Sequence, residues 1–207
     1  MKGKLKANTV DKYLRSIRLQ IVELVEPNTT LVELGCGNGD LLFKLCHKLK
    51  LGIGYDISEQ LIGYALERAN EEQINNLEFR IVDLLREPYS EPKVDYSVAS
   101  LLLHILPWNK AIELIEKLIA ASNTTIICGF SEPENVKHKT LLWLDQRFTS
   151  HYSNFRKFKK YGFTDGLLKS IENIKYERID TFDPVIKIYK ITKHNKTYKA
   201  YPTGYAS

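Results

Sequence analysis

The chain has 207 residues, 43% of them hydrophobic and 27% charged, which suits one domain with a substantial core rather than two independent ones. No run reaches the roughly 18 apolar residues of a membrane span, and no signal-peptide apolar segment opens the chain, so the expected location is the cytoplasm. The net charge of +5 gathers at the ends: residues 1–18 hold six Lys/Arg and one acid, and 151–207 hold twelve and five. Basic ends suit nucleic acid, an anionic membrane or an acidic substrate, or are solvated surface lysines.

Residues 1–9 are Lys-rich and read as loose. From Thr9 to Glu26, Val10, Tyr13, Leu14, Ile17, Ile21 and Val25 recur at three- and four-residue steps. That predicts an amphipathic helix over 9–26, capped by Thr9 and closed by Pro27-Asn28. Tyr13 on this helix has two readings, a residue facing the substrate or plain packing. A first strand follows at 29–34, a helix at 40–50 and a second strand at 51–56. Ser58 caps a helix to about Asn70. A third strand at 77–82 ends on Asp83, and 94–103 is a long apolar fourth. Pro107 opens a helix to Ala120, since proline is tolerated in a first turn, and 124–129 is the fifth strand. Strand and helix alternate with short connections, which predicts a parallel, doubly wound α/β sheet with its core over 29–130.

After Phe130 the pattern changes. Residues 131–162 carry charges and aromatics without strand character and read as a helical insertion, with helices near 134–147 and 151–161. A closing helix near 164–171 precedes two β-rich runs, 176–182 and 185–192. Only Asp183-Pro184 lies at their junction, so they form an antiparallel hairpin. The tail, 193–207, contains Tyr198, Tyr201 and Tyr205 and is either disordered or folded back. Cys36, Cys46 and Cys128 fit neither a disulfide framework nor zinc-ligand spacing; they read as small buried residues, and no metal is expected.

The chemistry centres on Leu31-Val32-Glu33-Leu34-Gly35-Cys36-Gly37-Asn38-Gly39-Asp40, an apolar run that ends in a carboxylate and a glycine-rich turn. Glycines here let the backbone approach a ligand closely. Asp56 ends the next strand, about 20 residues beyond the first glycine, the spacing of acids that bind ribose hydroxyls. Glu33 offers a negative group to a cationic ligand, and Asp83 offers an acceptor at the third strand end. Each of the three acids has a bland alternative as a cap or turn residue; together with the turn they point to an adenosine-bearing ligand. The third glycine comes one position too early for a nicotinamide fingerprint, and Asp40 would repel a pyrophosphate at the helix start. There is no P-loop.

Val32–Asp40 resembles motif I of the class I S-adenosylmethionine-dependent methyltransferases. Gly54-Tyr55-Asp56-Ile57-Ser58, Val82-Asp83-Leu84 and Val94–His104 resemble that family's second, third and fourth strand segments. The resemblance covers about 30–130 closely and 131–207 only in layout. It implies a Rossmann-like seven-stranded sheet in the order 3-2-1-4-5-7-6 with an antiparallel last strand, and S-adenosylmethionine as cofactor. It also implies that Glu33 and the turn Gly35, Cys36, Gly37, Asn38 and Gly39 hold the methionine part. Asp56 then binds the ribose, Ile57 packs on the adenine, Asp83 and Leu84 frame its edge, and Ser100 and Leu101 floor the sulfonium.

For catalysis, His104 reads as a general base or as a packing residue ahead of Pro107. His151 and Tyr152 are further candidates, with Arg147 as an anion anchor, if 131–162 forms a lid; alternatively its aromatics only pack that lid. Ser100-Leu101-Leu102-Leu103 lacks the Asn/Asp-Pro-Pro-aromatic motif common in amino-methyltransferases of nucleic acid. The favoured acceptor is therefore a small or lipid-like molecule, with nucleic acid disfavoured. RNA or protein is the next reading, and a non-catalytic cofactor-binding protein the third. Oligomeric state is not legible.

Overall fold

The structure, a computed structural model, describes residues 2–86, 93–147 and 149–192; the tail 193–207 lies outside them. Strands β1 (Thr29–Leu34), β2 (Leu49–Asp56), β3 (Leu77–Ile81), β4 (Val94–Ser100), β5 (Ser122–Phe130), β6 (Lys175–Asp180) and β7 (Ile186–Thr192) form one sheet. Its order is β3-β2-β1-β4-β5-β7-β6. β1 to β5 pair in parallel, and β7 runs antiparallel between β5 and β6. This is the doubly wound sheet with an antiparallel last strand that the motifs imply.

The central strands are apolar on both faces because helices cover both. Leu31, Val32 and Leu34 of β1 are buried on alternate sides, as are Val98 and Ala99 of β4, which is the pattern of a covered parallel sheet. The covering helices are α1 (Lys2–Leu24), α2 (Asp40–Leu45), α3 (Glu59–Glu71), α4 (Trp108–Ala121), α5 (Val136–Arg147), α6 (Tyr152–Lys160) and α7 (Phe163–Lys169). In α1 the buried positions Leu14, Ile17 and Ile21 follow the helical period. α4 buries Ala111, Leu114, Ile115 and Leu118 in the same way. Among the described residues no helix is long and apolar enough to cross a membrane.

Several boundaries depart from the sequence reading, each for a local reason. α1 begins at Lys2, not Thr9, because Lys, Leu and Ala in the first turns are strong helix formers; Thr9 lies inside the helix and is not its cap. α2 stops at Leu45 rather than near Lys50. The Lys48 N–H turns back to the Leu45 carbonyl at 2.8 Å, and Leu49 is buried as the first residue of β2. β4 ends at Ser100 rather than 103, since Leu101 takes φ 52° and leads into a 3₁₀ turn, Leu103–Ile105. In the insertion, α5 starts at Val136 and α6 at Tyr152.

The pairing of Phe130 with Ile186 places the β6–β7 connection, residues 181–185, at the sheet edge where the parallel strands end. α1 is fastened to both halves of that sheet. Arg18 meets Asp40 at the start of α2, and the Tyr13 hydroxyl donates to Asp183 in the 181–185 connection.

Candidate functional site

The turn after β1 is built by three left-handed glycines, Gly35 (φ 71°), Gly37 (φ 57°) and Gly39 (φ 76°). The N–H groups of Gly35 and Cys36 both donate to the Tyr55 carbonyl on β2, at 2.8 and 3.0 Å. That folds the turn over the neighbouring strand end. A Cβ on Gly39 would stand 2.5 Å from Phe79 Cε1, so space as well as φ requires glycine there.

Asp56 closes the turn from the other side. Its Oδ2 accepts the Gly37 N–H at 2.8 Å and its Oδ1 accepts the Ser58 N–H at 2.8 Å. Each carboxylate oxygen keeps a second lone pair for another donor. Ser58 in turn caps α3, accepting the Leu61 N–H at 3.3 Å. Asp56 thus shapes the turn and the helix start, and its remaining lone pairs leave acceptor capacity at the strand end.

Glu33 is the most informative residue. It is 4% exposed, and its Oε2 is buried with no hydrogen-bond partner among the described residues. Burial pushes its carboxyl up to about 8; Arg18 opposes this, while Asp40 and Asp56 reinforce it. An orphaned buried acid is costly unless a cation or donor reaches it. A ligand ammonium entering the glycine turn would do so, and this fits the cofactor that the resemblance implies.

Asp40 has a different role from the one expected. It is buried and ion-paired to Arg18 at 2.8 Å and Lys44 at 2.6 Å, with Arg68 at 3.9 Å. These cations offset its charge, so the argument against a dinucleotide rests mainly on the glycine spacing. Arg18, 22 residues from Asp40 in sequence, left no signal in the sequence pattern.

The other rim residues occupy adjoining strand ends. Ile57 is 66% exposed beside Asp56. Asp83 is committed to its own turn, with Oδ1 accepting the Leu85 N–H at 3.0 Å and Oδ2 lying 3.3 Å from Arg86 Nε. Leu84 beside it is half-buried. Ser100 and Leu101 are half-buried where β4 ends, and the Leu101 N–H donates to the Cys128 carbonyl at 2.8 Å. β1 lies between β2 and β4 in register, Leu34 opposite Tyr55 and Ala99. Glu33, the turn, Asp56, Ser100 and Leu101 therefore share one edge. The three cysteines are free thiols; Cys36 and Cys128 are buried, and burial pushes Cys128 up to about 12.

On the far side of β4 the site changes character. His104, in the 3₁₀ turn, is buried among rings: Phe130 at 4.9 Å, His151 at 5.4 Å and Phe155 at 6.4 Å between centroids. Burial first, then His151, lowers it to about 3. It is a neutral ring at physiological pH, and this geometry favours its packing reading over the general base. His151 and Tyr152 are half-buried at the start of α6, and Arg147 is exposed at the end of α5. Asn154 Nδ2, which the sequence did not single out, donates to the Ile105 carbonyl at 2.8 Å and ties α6 to the 3₁₀ turn. Tyr13 is 52% exposed, with its ring against Phe182 at 5.4 Å and its hydroxyl on Asp183. It belongs to the rim formed by 181–185, and Asp183 was not foreseen.

Residues 25–160 match the family described as "Methyltransferase domain". No curated protein matches the chain. Among solved structures, the chain is similar to the PH0226 protein from Pyrococcus horikoshii OT3, at 14% identity over 88% of this chain and 90% of that one, with a TM-score of 0.67. It is similar to the N-methyltransferase NodS from Bradyrhizobium japonicum WM9 in complex with S-adenosyl-L-homocysteine, at 14% identity over 87% and 86%, TM-score 0.62. It is also similar to magnesium protoporphyrin IX methyltransferase from Synechocystis PCC 6803 with bound S-adenosylhomocysteine, at 20% identity over 92% and 83%, TM-score 0.58. At these identities the likeness is one of fold.

Proposed function

The chain belongs to the methyltransferase-domain family and is an S-adenosylmethionine-dependent methyltransferase, and on that premise we propose that it methylates a small or lipid-like acceptor under a lid made by residues 131–162. The observation that carries the cofactor side is the orphaned carboxyl of Glu33 inside a glycine turn pinned by Asp56. The acceptor side is supported by the aromatic cluster through which α6 and His151 pack against the turn after β4.

The bound cofactor supplies a methyl on a sulfonium, already an excellent leaving group. The protein's own work is alignment and water exclusion, for which proximity and orientation contribute several kcal/mol. Glu33 takes the cationic tail, Asp56 the ribose hydroxyls and Ile57 one adenine face, while Asp83 and Leu84 border the adenine edge. Ser100 and Leu101 form the floor at the point of transfer, where the chain leaves β4 with φ 52° at Leu101. In this reading His151 and Tyr152 take the acceptor proton, Arg147 holds an anionic group of the acceptor and Tyr13 borders the substrate. His104 anchors the lid by packing. The whole chain acts as one domain.

Calorimetry with S-adenosylhomocysteine tests the cofactor half: no binding would remove the reading. Methyl transfer from labelled S-adenosylmethionine into a small-molecule extract tests the acceptor half. Binding without any transfer would favour a non-catalytic cofactor-binding protein.

A further inference from the structure

Residues 136–161 hold seven Lys/Arg and one acid. Four of the seven, Arg156, Lys157, Lys159 and Lys160, lie on α6 within nine residues. Among the described residues none of these four forms an ion pair; the contact made by their charged ends is Lys160 Nζ over the Tyr161 ring at 5.8 Å. The charges near the end of α6 complement its dipole. That does not account for the concavity beside them, about 370 Å³, lined by Tyr152, Phe155, Arg156, Lys159 and Lys160.

The arrangement follows from the helix period. Residues 152, 156 and 160 and residues 152, 155 and 159 are successive three- and four-residue steps, so they share one face. Tyr152 is half-buried at the floor, with Phe155 all but buried beneath it, and three cations form the rim, in the size range of small-molecule pockets. The floor is firmly rooted: Phe155 is 2% exposed and its ring packs on His104 and Phe130, while Asn154 holds the Ile105 carbonyl. His104 is three residues beyond Leu101, where the proposed methyl-transfer floor lies. The cations thus have a fixed position relative to the end of β4.

We propose that the α6 concavity binds an anionic group, a phosphate or carboxylate, carried by the methyl acceptor, with Arg156, Lys159 and Lys160 holding the anion and Tyr152 flanking the adjoining apolar part. The assignment to the acceptor rests on the small-molecule reading above; the anion site itself does not. A cavity of this size favours a small acceptor over a polymer, although single-stranded RNA offers the same phosphate-plus-ring chemistry.

Phenyl phosphate, phenol and a short single-stranded RNA serve as probes, measured by calorimetry on the full chain in parallel with S-adenosylhomocysteine. Phenyl phosphate should bind at least about tenfold more tightly than phenol, and the triple variant R156Q/K159Q/K160Q should weaken it by about tenfold or more, the scale of losing charge-assisted contacts. Lys157→Gln, on the same helix but outside the concavity, should change little. S-adenosylhomocysteine affinity should be unchanged in both variants, which also reports an intact fold. Methyl label transferred into an extract should appear in the anion-exchange-retained fraction and fall with the triple variant. Phenyl phosphate binding that survives the triple variant, RNA binding in its place, or labelled product confined to the neutral fraction would overturn the proposal. Lost S-adenosylhomocysteine binding in the wild type, with anion binding intact, would instead overturn the cofactor reading and leave the anion site standing.

Discussion

Around β1 and β2 the site is made of backbone turns and carboxylates; around the end of β4 and α6 it is made of rings and cations. The first half takes its shape from three positive-φ glycines and one aspartate that satisfies two N–H groups. The second takes its shape from helices packed across a gap of some fifty residues, as when Asn154 reaches Ile105. The two halves also respond to pH in opposite senses, because burial holds a carboxyl neutral in one and an imidazole neutral in the other. A cofactor half built from local geometry tolerates little substitution, whereas a half built from packing can be re-lined.

The largest effect is expected at Asp56. Asp56→Ala removes the acceptors of the Gly37 and Ser58 N–H groups together with the proposed ribose contact, and should weaken S-adenosylhomocysteine by about 100-fold or more. Tyr152→Phe, in the other half, should leave that affinity within about twofold, at the scale of a surface-type substitution. Calorimetry on the two variants checks the pair, and equal losses in both would erase the division.

Next is Glu33. Glu33→Gln should weaken S-adenosylhomocysteine by about 10- to 100-fold, the worth of a charge-assisted hydrogen bond. It should also change the pH dependence of stability. The ordinary carboxyl value is 4.5 and Glu33 is held at about 8 in the fold. Between those values the folded chain binds a proton that the unfolded chain has lost, so stability falls as pH rises through that window. Urea unfolding of the free protein at pH 6 and pH 8.5 should show that decline, and Glu33→Gln should flatten it. Cofactor affinity should move the other way, rising towards pH 8 as the carboxylate forms to meet the ammonium. A pH-independent affinity would contradict Glu33 as the ammonium's partner.

Gly39→Ala comes third. Its φ of 76° and the Phe79 ring 2.5 Å from a new Cβ should reduce stability by about 1–3 kcal/mol. Gly63→Ala on α3, where a Cβ meets nothing within 4 Å, should instead stabilise by up to about 1 kcal/mol. Thermal unfolding of the two variants separates a glycine required by geometry from one that is not.

The same division explains what the sequence disclosed. Gly35, Gly37, Gly39 and Asp56 lie within about twenty residues and act through backbone rules, so their spacing alone located the turn and the acid. The parallel sheet followed from the strand–helix alternation, its strand order from the motif resemblance alone, and the hairpin from the short Asp183-Pro184 junction. Arg18, Asp183 and Asn154 act through side chains that meet partners 22, 170 and 49 residues away; no local pattern encodes such meetings. Strand ends such as Leu101 were misplaced because an apolar run does not reveal the single positive φ that ends it.

His104 carries the smallest expected effect and the sharpest test of the acceptor half. It is 7% exposed and ringed by Phe130, His151 and Phe155, and its value falls from 6.5 to about 3. Below pH 6.5 the unfolded chain takes up a proton that the folded chain refuses, so stability falls as pH falls through that window. His104→Phe keeps a ring of similar shape among the aromatic neighbours and should remove that acid-side loss. Turnover should stay within about threefold of wild type, since a general base would be worth about 100-fold or more. His151→Ala, half-buried and 5.4 Å away, should lower turnover more, without altering S-adenosylhomocysteine affinity. If His104→Phe instead abolishes turnover while the fold and cofactor binding persist, the ring does chemistry rather than packing. The acceptor half would then be as intolerant of substitution as the glycine turn.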